Sequence, residues 1–543
     1  MRTRENSVKE LDVLVVGAGF AGLYMLHRLR QMGLMACVLE RGGGVGGTWY
    51  WNRYPGARCD VESLEYSYKF DERLQREWTW SERYAAQPEI LRYLNHVADR
   101  FQLRDDIQLN TTVNSAVYDE ATHRWQVGTS EGEKFESRFF IAATGCLSQP
   151  IEPRYPGQDN FQGEIYYTSR WPEDDVDFSG KNVAIIGTGS SGIQTIPIVA
   201  RQARHLAVLQ RTPNFSVPAC NRPLTEEEIA KTKAQYTNFR AHCLSGTFGF
   251  QLYPSGKTSK ITPTEQIESE LERRWNVFGG LQFLGGLDDM LFDSKANAIG
   301  ADFIRKKIRR IVNDPSIAEK LIPNNHAVGC KRLCSDTGYY ETFNRDNVEL
   351  VDLKQTPVDG IEERGIRCGN RLVEADAIIY ATGFDAMTGA LLNMNISTRR
   401  GRSLNDAWRE GARTYLGLMT AGFPNFFMIT GPGSPSVLTN MVMAIEDHVD
   451  WIANCLTYLY DEKIVEIEAD HEAQSEWMER VKAIAEPTQF TGCNSWYAGS
   501  NVAGKPHSFT VYVGFSEYRS ILDDVSKGNE FSGFSVIEQH SLA

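Results

Sequence analysis

No two of the ten cysteines stand as Cys-x-x-Cys. That omission removes the redox couple a pyridine-nucleotide disulfide reductase needs beside its flavin. It also weakens any zinc reading. Cys330 and Cys334 are the nearest pair in sequence and are isolated from other ligands, so no metal is expected. The thiols read as reduced, mostly packing residues. No apolar run reaches membrane-spanning length. The stretch from Leu11 is broken by Gly17, Gly19 and Gly22, then by His27 and Arg28. No signal-peptide apolar region precedes it, so the expectation is a cytoplasmic protein without a membrane partner. A basic surplus is missing too: the formal net charge is −13, which speaks against nucleic acid. A chain of 543 residues has room for two or three domains.

What is present, twice, is a glycine-rich turn. Leu-Asp-Val-Leu-Val-Val runs into Gly17-Ala-Gly19-Phe-Ala-Gly22, and Lys181-Asn-Val-Ala-Ile-Ile runs into Gly187-Thr188-Gly189-Ser190-Ser-Gly192. Each is G-x-G-x-x-G after a short apolar run that reads as a buried parallel strand, with a helix following. Such glycines permit a tight turn and a close backbone approach, so a pyrophosphate can sit on the helix N-terminus. One copy alone is weak evidence, and two in strand–turn–helix context are strong. The copies differ about twenty residues on. After the first, Ala36–Leu39 reads as a strand ending in Glu40, which suits free ribose hydroxyls. After the second, His205–Leu209 leads to Gln210, Arg211 and Thr212, where a cation suits a 2′-phosphate. The first site therefore reads as FAD and the second as NADP(H).

The fold class expected is α/β: two Rossmann-like dinucleotide-binding domains, for FAD and NADP, with a helical insertion in the NADP domain. The division expected is 1–148 for the first part of the FAD domain and 149–213 for the first part of the NADP domain. A helical insertion follows over 214–328, the second part of the NADP domain over 329–380, and the FAD domain with a C-terminal tail over 381–543. Residues 1–10 are polar and read as a frayed start. Gly46 to Asp60 packs four aromatics among glycines, which suits a loop folded against a flat ring system. Gln87-Pro88 reads as a helix start. Residues 111–140 alternate and read as an antiparallel meander ending at Ala143-Thr-Gly145. A near-copy, Ala381-Thr-Gly383, follows a second apolar strand. Between about 220 and 325, charged stretches with helical spacing dominate. A glycine–proline turn, Gly431 to Ser436, precedes a helix near Met441–Tyr460.

With these motifs in place, the chain resembles the type I Baeyer–Villiger monooxygenases from about residue 10 to its C-terminus. Gly47-Thr48-Trp49, Tyr54-Pro-Gly and Asp60 match that family's long loop. Phe161-x-Gly163-x-x-x-Tyr167-x-x-x-Trp171-Pro172 matches its fingerprint except at Tyr167, where the family has His. The stretches Gly383 to Gly389 and Gly431 to Ser436 look closest to the phenylacetone and steroid monooxygenase branch. The resemblance implies that NADPH reduces FAD, that reduced flavin captures O2 as a C4a-peroxide, and that a ketone becomes an ester or lactone. A monomer or weak homo-oligomer is expected.

Roles carried over by the resemblance attach to individual positions. Arg332 matches the active-site arginine, although by itself it reads as a surface cation. Asp60 matches the carboxylate paired with it, although by itself it reads as a turn cap. Gly17, Gly19, Gly22, Glu40, Gly47, Thr48, Trp49, Asp60 and Tyr66 are the expected FAD contacts. Gly187, Thr188, Gly189, Ser190, Gly192, Arg211, Thr212, Lys331 and Trp496 are the expected NADP contacts; Trp496 by itself reads as a core residue. Cys146, Ser436, Val437, Leu438 and Met441 fall where the family's substrate pocket lies. Short side chains at Cys146 and Ser436 leave room for a bulky ketone, aryl or cyclic. The alternatives are a flavin-dependent N- or S-monooxygenase, which shares both nucleotide motifs but lacks Trp-Pro, and a non-catalytic FAD/NADPH-binding sensor, which only Tyr167 invites.

Overall fold

The computed structural model describes residues 8–539. Residues 1–7 of the expected frayed start lie outside that range. Lys9 and Glu10 are not frayed, because the first strand, β1 (Lys9–Val16), begins with them and pairs both to a neighbouring strand.

The first sheet is built on β1, helix α1 (Phe20–Gln31), β2 (Ala36–Leu39) and β3 (Lys134–Ala142). Val13, Leu14 and Val15 are fully buried, as a parallel strand covered on both faces requires. β1 runs parallel to β2, with Val13 opposite Ala36, and parallel to β3, with Leu14 opposite Phe140. The full sheet has eight strands. Val113–Asp119 and Arg124–Thr129 form the expected antiparallel meander with β3. Phe426–Met428 then pairs parallel to the second half of β3, so the late part of the chain completes the early sheet.

The second sheet repeats the arrangement with β4 (Asn182–Ile186), helix α2 (Ser190–Gln202), β5 (His205–Gln210) and β6 (Ala377–Tyr380). Its five strands are all parallel, with Val348–Asp352 at one edge and Glu164–Tyr167 at the other. An antiparallel trio between Val358 and Glu374 packs on it.

Between the two halves of the second sheet lie helices including Glu226–Ala234, Thr264–Arg273 and Ser294–Ile311. Local chemistry sets their starts. Thr225 and Glu228 form a capping box, and the Asp293 carboxylate accepts from the Lys295 and Ala296 N–H groups. Helix α3 (Met441–Asp461) packs across α1. No helix among the described residues is long and apolar enough to cross a membrane.

The cysteines depart from expectation. Cys330 and Cys493 form a disulfide across 163 residues, while the other eight are free. Spacing gave no sign of this pair because the fold, not the local sequence, brings the two side chains together.

Candidate active site

Each glycine-rich turn is crossed by one of the two Ala-Thr-Gly returns. Gly17 has φ +106°, and a Cβ there would lie 2.6 Å from the Ala143 carbonyl oxygen. Gly187 has φ +113°, and its Cβ would lie 2.4 Å from the Ala381 carbonyl oxygen. Only glycine meets both demands. Gly22 and Gly192 close-pack under the first glycine of their own turns. The Gly47 loop then lies directly on Gly19. Helices α1 and α2 start without a side-chain cap and without an acidic residue in the first turn. Their leading N–H groups are therefore open to an anion. Both cradles fit a dinucleotide pyrophosphate.

A cavity of about 600 Å³ opens between the two turns. Of the expected FAD contacts, Gly17, Gly19, Glu40, Gly47, Thr48, Trp49, Asp60 and Tyr66 line it. Gly22 does not, because it serves the helix–turn contact just described. The Glu40 carboxylate accepts from the Ala18 N–H at 2.7 Å and the Gly42 N–H at 2.8 Å, which fixes it at the cavity edge. Trp49 donates to the Tyr66 hydroxyl at 3.2 Å. Burial raises the Tyr66 phenol far above its ordinary value, so it remains a neutral donor.

Arg332 reaches the cavity from the stretch before Cys334–Asp336. Its Nε donates to Asp60 Oδ2 and its Nη2 to Asp60 Oδ1, both at 2.8 Å, and its Nη1 donates to the Val437 carbonyl at 2.8 Å. The Asn214 amide donates to the Arg332 carbonyl at 3.2 Å. Burial works against the guanidinium charge, but the Asp60 carboxylate outweighs it and the pKa ends above its ordinary value. A guanidinium has five N–H donors. Asp60 and Val437 use three of them, and the Tyr497 hydroxyl faces the same guanidinium.

The expected NADP residues divide. Ser190 and Trp496 line the cavity, while Gly187, Thr188, Gly189 and Gly192 form the turn beside it. Thr188 donates to the Thr212 carbonyl at 3.1 Å, tying the turn to the end of β5. Arg211 is exposed and Lys331 half-buried. Burial lowers the Lys331 pKa, and the nearby Arg211 charge lowers it further. Two cations thus stand together, and neither has a salt-bridge partner within 4.0 Å among the described residues. That is the donor set a phosphate would complete.

Of the expected substrate pocket, Cys146, Val437 and Met441 line the cavity. Ser436 and Leu438 are not among the residues that line it. Ser436–Leu438 is a single tight turn whose three residues are all buried, and the Ser436 side chain lies beside the Cys146 thiol. The fingerprint residues Phe161, Gly163, Tyr167, Trp171 and Pro172 also stand outside the cavity, although Ser169 among them lines it. They join the two sheets. Tyr166 stacks on Trp171 at 5.3 Å, and the Trp171 N–H points to the Trp51 carbonyl at 3.4 Å. Tyr167 turns the other way and stacks on Tyr380 at 5.0 Å.

Sequence reasoning missed several participants. The Tyr54 hydroxyl donates to Gln194 on α2 at 2.9 Å, and Gln194 donates to the Arg58 carbonyl at 3.1 Å. This clamps the Asp60 loop to the second sheet. Gln194 sits on a helix face that only the docking of the two sheets makes functional.

Comparison with known proteins agrees with this arrangement. Residues 14–245 match the family model described as pyridine nucleotide-disulphide oxidoreductase. The matched stretch excludes both half-cystines. A cyclohexanone 1,2-monooxygenase of Acinetobacter sp. is 39% identical over 98% of this chain and 98% of its own. A phenazine N-monooxygenase of Lysobacter antibioticus is also 39% identical, again over 98% of each. An oxidized steroid monooxygenase bound to NADP superposes with a TM-score of 0.93 at 48% identity, covering 98% of this chain and 100% of that one. OTEMO in complex with FAD and NADP gives 0.93 at 38%, covering 98% and 100%. These relatives and solved neighbours include monooxygenases, and OTEMO is solved with FAD and NADP bound. The chain belongs to the Baeyer–Villiger monooxygenases, FAD-dependent enzymes that use NADPH and insert one oxygen atom.

Proposed function

We propose that this enzyme converts bulky ketones, aryl or cyclic and steroid-like, to esters or lactones with NADPH and O2. FAD belongs to the cradle at Gly17 and NADP(H) to the cradle at Gly187. This reading divides the chain as expected: FAD domain at 1–148 and 381–543, NADP domain at 149–213 and 329–380, helical insertion at 214–328. The observation that carries the reading is the two-pronged Asp60–Arg332 pair at the cavity between the cradles.

Flavin, when bound, supplies the oxygen activation and the electrons from NADPH. The chain's own residues do the rest. Arg332 presents a permanent planar cation to negative charge that develops on oxygen. Asp60 and the Val437 carbonyl hold that cation in one orientation. Lys331 and Arg211 pair with the 2′-phosphate. Cys146, Val437 and Met441 bound the ketone end, Trp496 the nicotinamide side, and burial pushes the Cys146 thiol up to about 11, so it stays neutral and apolar. The likeness to steroid monooxygenase supports a bulky substrate.

The phenazine N-monooxygenase relative favours a second reading, oxygenation of a ring nitrogen. NADPH consumption with phenylacetone, cyclohexanone, progesterone and a phenazine separates the two. Ketone-stimulated consumption with an ester or lactone product supports the first reading. Stimulation by the phenazine alone overturns it.

A further inference from the structure

The Cys330–Cys493 bridge is unused by the chemistry above, yet it lies at its edge. Cys330 immediately precedes Lys331 and Arg332. Cys493 lies three residues before Trp496, which lines the cavity. Between them the bridge joins the loop that carries both working cations to the C-terminal segment.

That segment has little structure of its own. From Thr488 to Ser508 it contains only two short turns, Gln489–Thr491 and Trp496–Ala498. Its outside hydrogen bonds are few and sit toward its ends. The Gln489 N–H donates to the Leu291 carbonyl at 2.8 Å, Asn501 donates to the Phe384 carbonyl at 2.8 Å, and Lys505 donates to the Ala386 carbonyl at 2.8 Å. Between Gln489 and Asn501 the disulfide is the covalent link to the Lys331–Arg332 loop, and the buried Phe490 and Tyr497 rings anchor the stretch beside it. That ring is 1% exposed and packs on Trp496 at 4.4 Å and on Phe490 at 6.3 Å. Cys330 is fully buried, but Cys493 is half-buried, so the bridge is open to exchange from one side.

We propose that this disulfide is a redox-sensitive positioning crosslink: it holds Trp496 and Tyr497 against the Lys331–Arg332 loop, so that the disulfide form binds nicotinamide nucleotide more tightly than the dithiol form. The proposal rests on the assignment of Lys331 and Trp496 to NADP(H). The interconversion is balanced. A dithiol reductant gives up two electrons and two protons, becomes a disulfide and leaves two cysteine thiols. Hydrogen peroxide reverses it, removing two electrons and two protons and ending as two waters.

The test uses the FAD-loaded enzyme in three forms: peroxide-treated, dithiothreitol-treated, and the Cys493→Ser variant. Mass spectrometry with thiol alkylation counts the bridge in each. NADP+ is titrated by the change in flavin absorbance, and limited proteolysis reads the 488–508 segment. The expected result is a rise in the NADP+ Kd on the order of fivefold on reduction. Faster cleavage within 488–508 should accompany it. Cys493→Ser should match the reduced form and no longer respond to dithiothreitol. Equal Kd and equal cleavage in forms whose bridge content differs would overturn the proposal, as would failure of peroxide to close the bridge. If neither form binds NADP+, the nucleotide assignment falls and the binding consequence with it, whereas a difference in cleavage would still support the crosslink.

Discussion

The Asp60 carboxylate and the Arg332 guanidinium meet along both edges, oxygen to nitrogen at 2.8 Å twice, although 272 residues separate them. Removing one partner of such a pair leaves a largely buried charge without its complement. Asp60→Asn keeps the volume and loses the charge. Its kcat with a ketone should fall by about 10²-fold while the flavin stays bound. Arg332→Lys should be no milder, because an ammonium cannot span both carboxylate oxygens and the Val437 carbonyl together. Steady-state rates and the flavin absorbance band check both. A variant that keeps wild-type kcat would remove Arg332 from the chemistry.

On the proposed assignment to the 2′-phosphate, Arg211 and Lys331 would set the choice between NADPH and NADH. Each substitution to Ala should raise the NADPH KM by about tenfold and leave the NADH KM within about twofold. The pH dependence has a definite sign. Burial and Arg211 hold the Lys331 pKa below 10.5, so its charge is lost earlier as pH rises. The NADPH kcat/KM should therefore decline on the alkaline side, and Lys331→Met should abolish that limb. Initial rates across pH with both nucleotides measure this.

Tyr167 stands where the family carries His, and the structure places it in a stack rather than at the cavity. It lies against Tyr380 with the rings 18° from parallel, and Tyr380 in turn lies near-parallel to Tyr155. Tyr167→His keeps a flat ring, so flavin reduction by NADPH should change by less than about threefold. Tyr167→Ala leaves a gap and should cost about 1–3 kcal/mol of stability. Stopped-flow reduction and thermal melts separate the two effects.

Much of this was legible in the sequence and some was not. The two cradles were legible because a pyrophosphate turn demands glycines at fixed offsets, and Gly17 and Gly187 obey that local rule. Arg332 and Asp60 were legible only through resemblance, since nothing local distinguishes a buried, paired arginine from a solvated one. Which of Ser436, Val437 and Leu438 lines the cavity was not legible, because one tight turn decides it. The Cys330–Cys493 bridge and the Gln194 clamp were invisible, as both are products of long-range docking.

Glu446 on α3 gives a stability test away from the site. Burial raises its pKa to about 7 against the opposing charges of Lys69 and Arg240. Its Oε1 accepts from the Lys69 and Phe70 N–H groups at 2.7 and 2.8 Å, while Oε2 has no hydrogen-bond partner. The unfolded chain gives up this proton near pH 4.5 and the folded chain near 7. The group's contribution is therefore present below pH 4.5 and is lost as pH rises through 7. Glu446→Gln should melt a few degrees, about 3 °C, above the parent at pH 8 and converge with it near pH 4.5. Melting curves at the two pH values decide.

The most direct measurement of the central claim is turnover of the purified yellow protein with NADPH, a cyclic ketone and isotopically heavy dioxygen. The expected result is ketone-stimulated NADPH use and a lactone carrying one heavy oxygen atom per NADPH consumed. NADPH loss that ignores the ketone and ends only in hydrogen peroxide would contradict it.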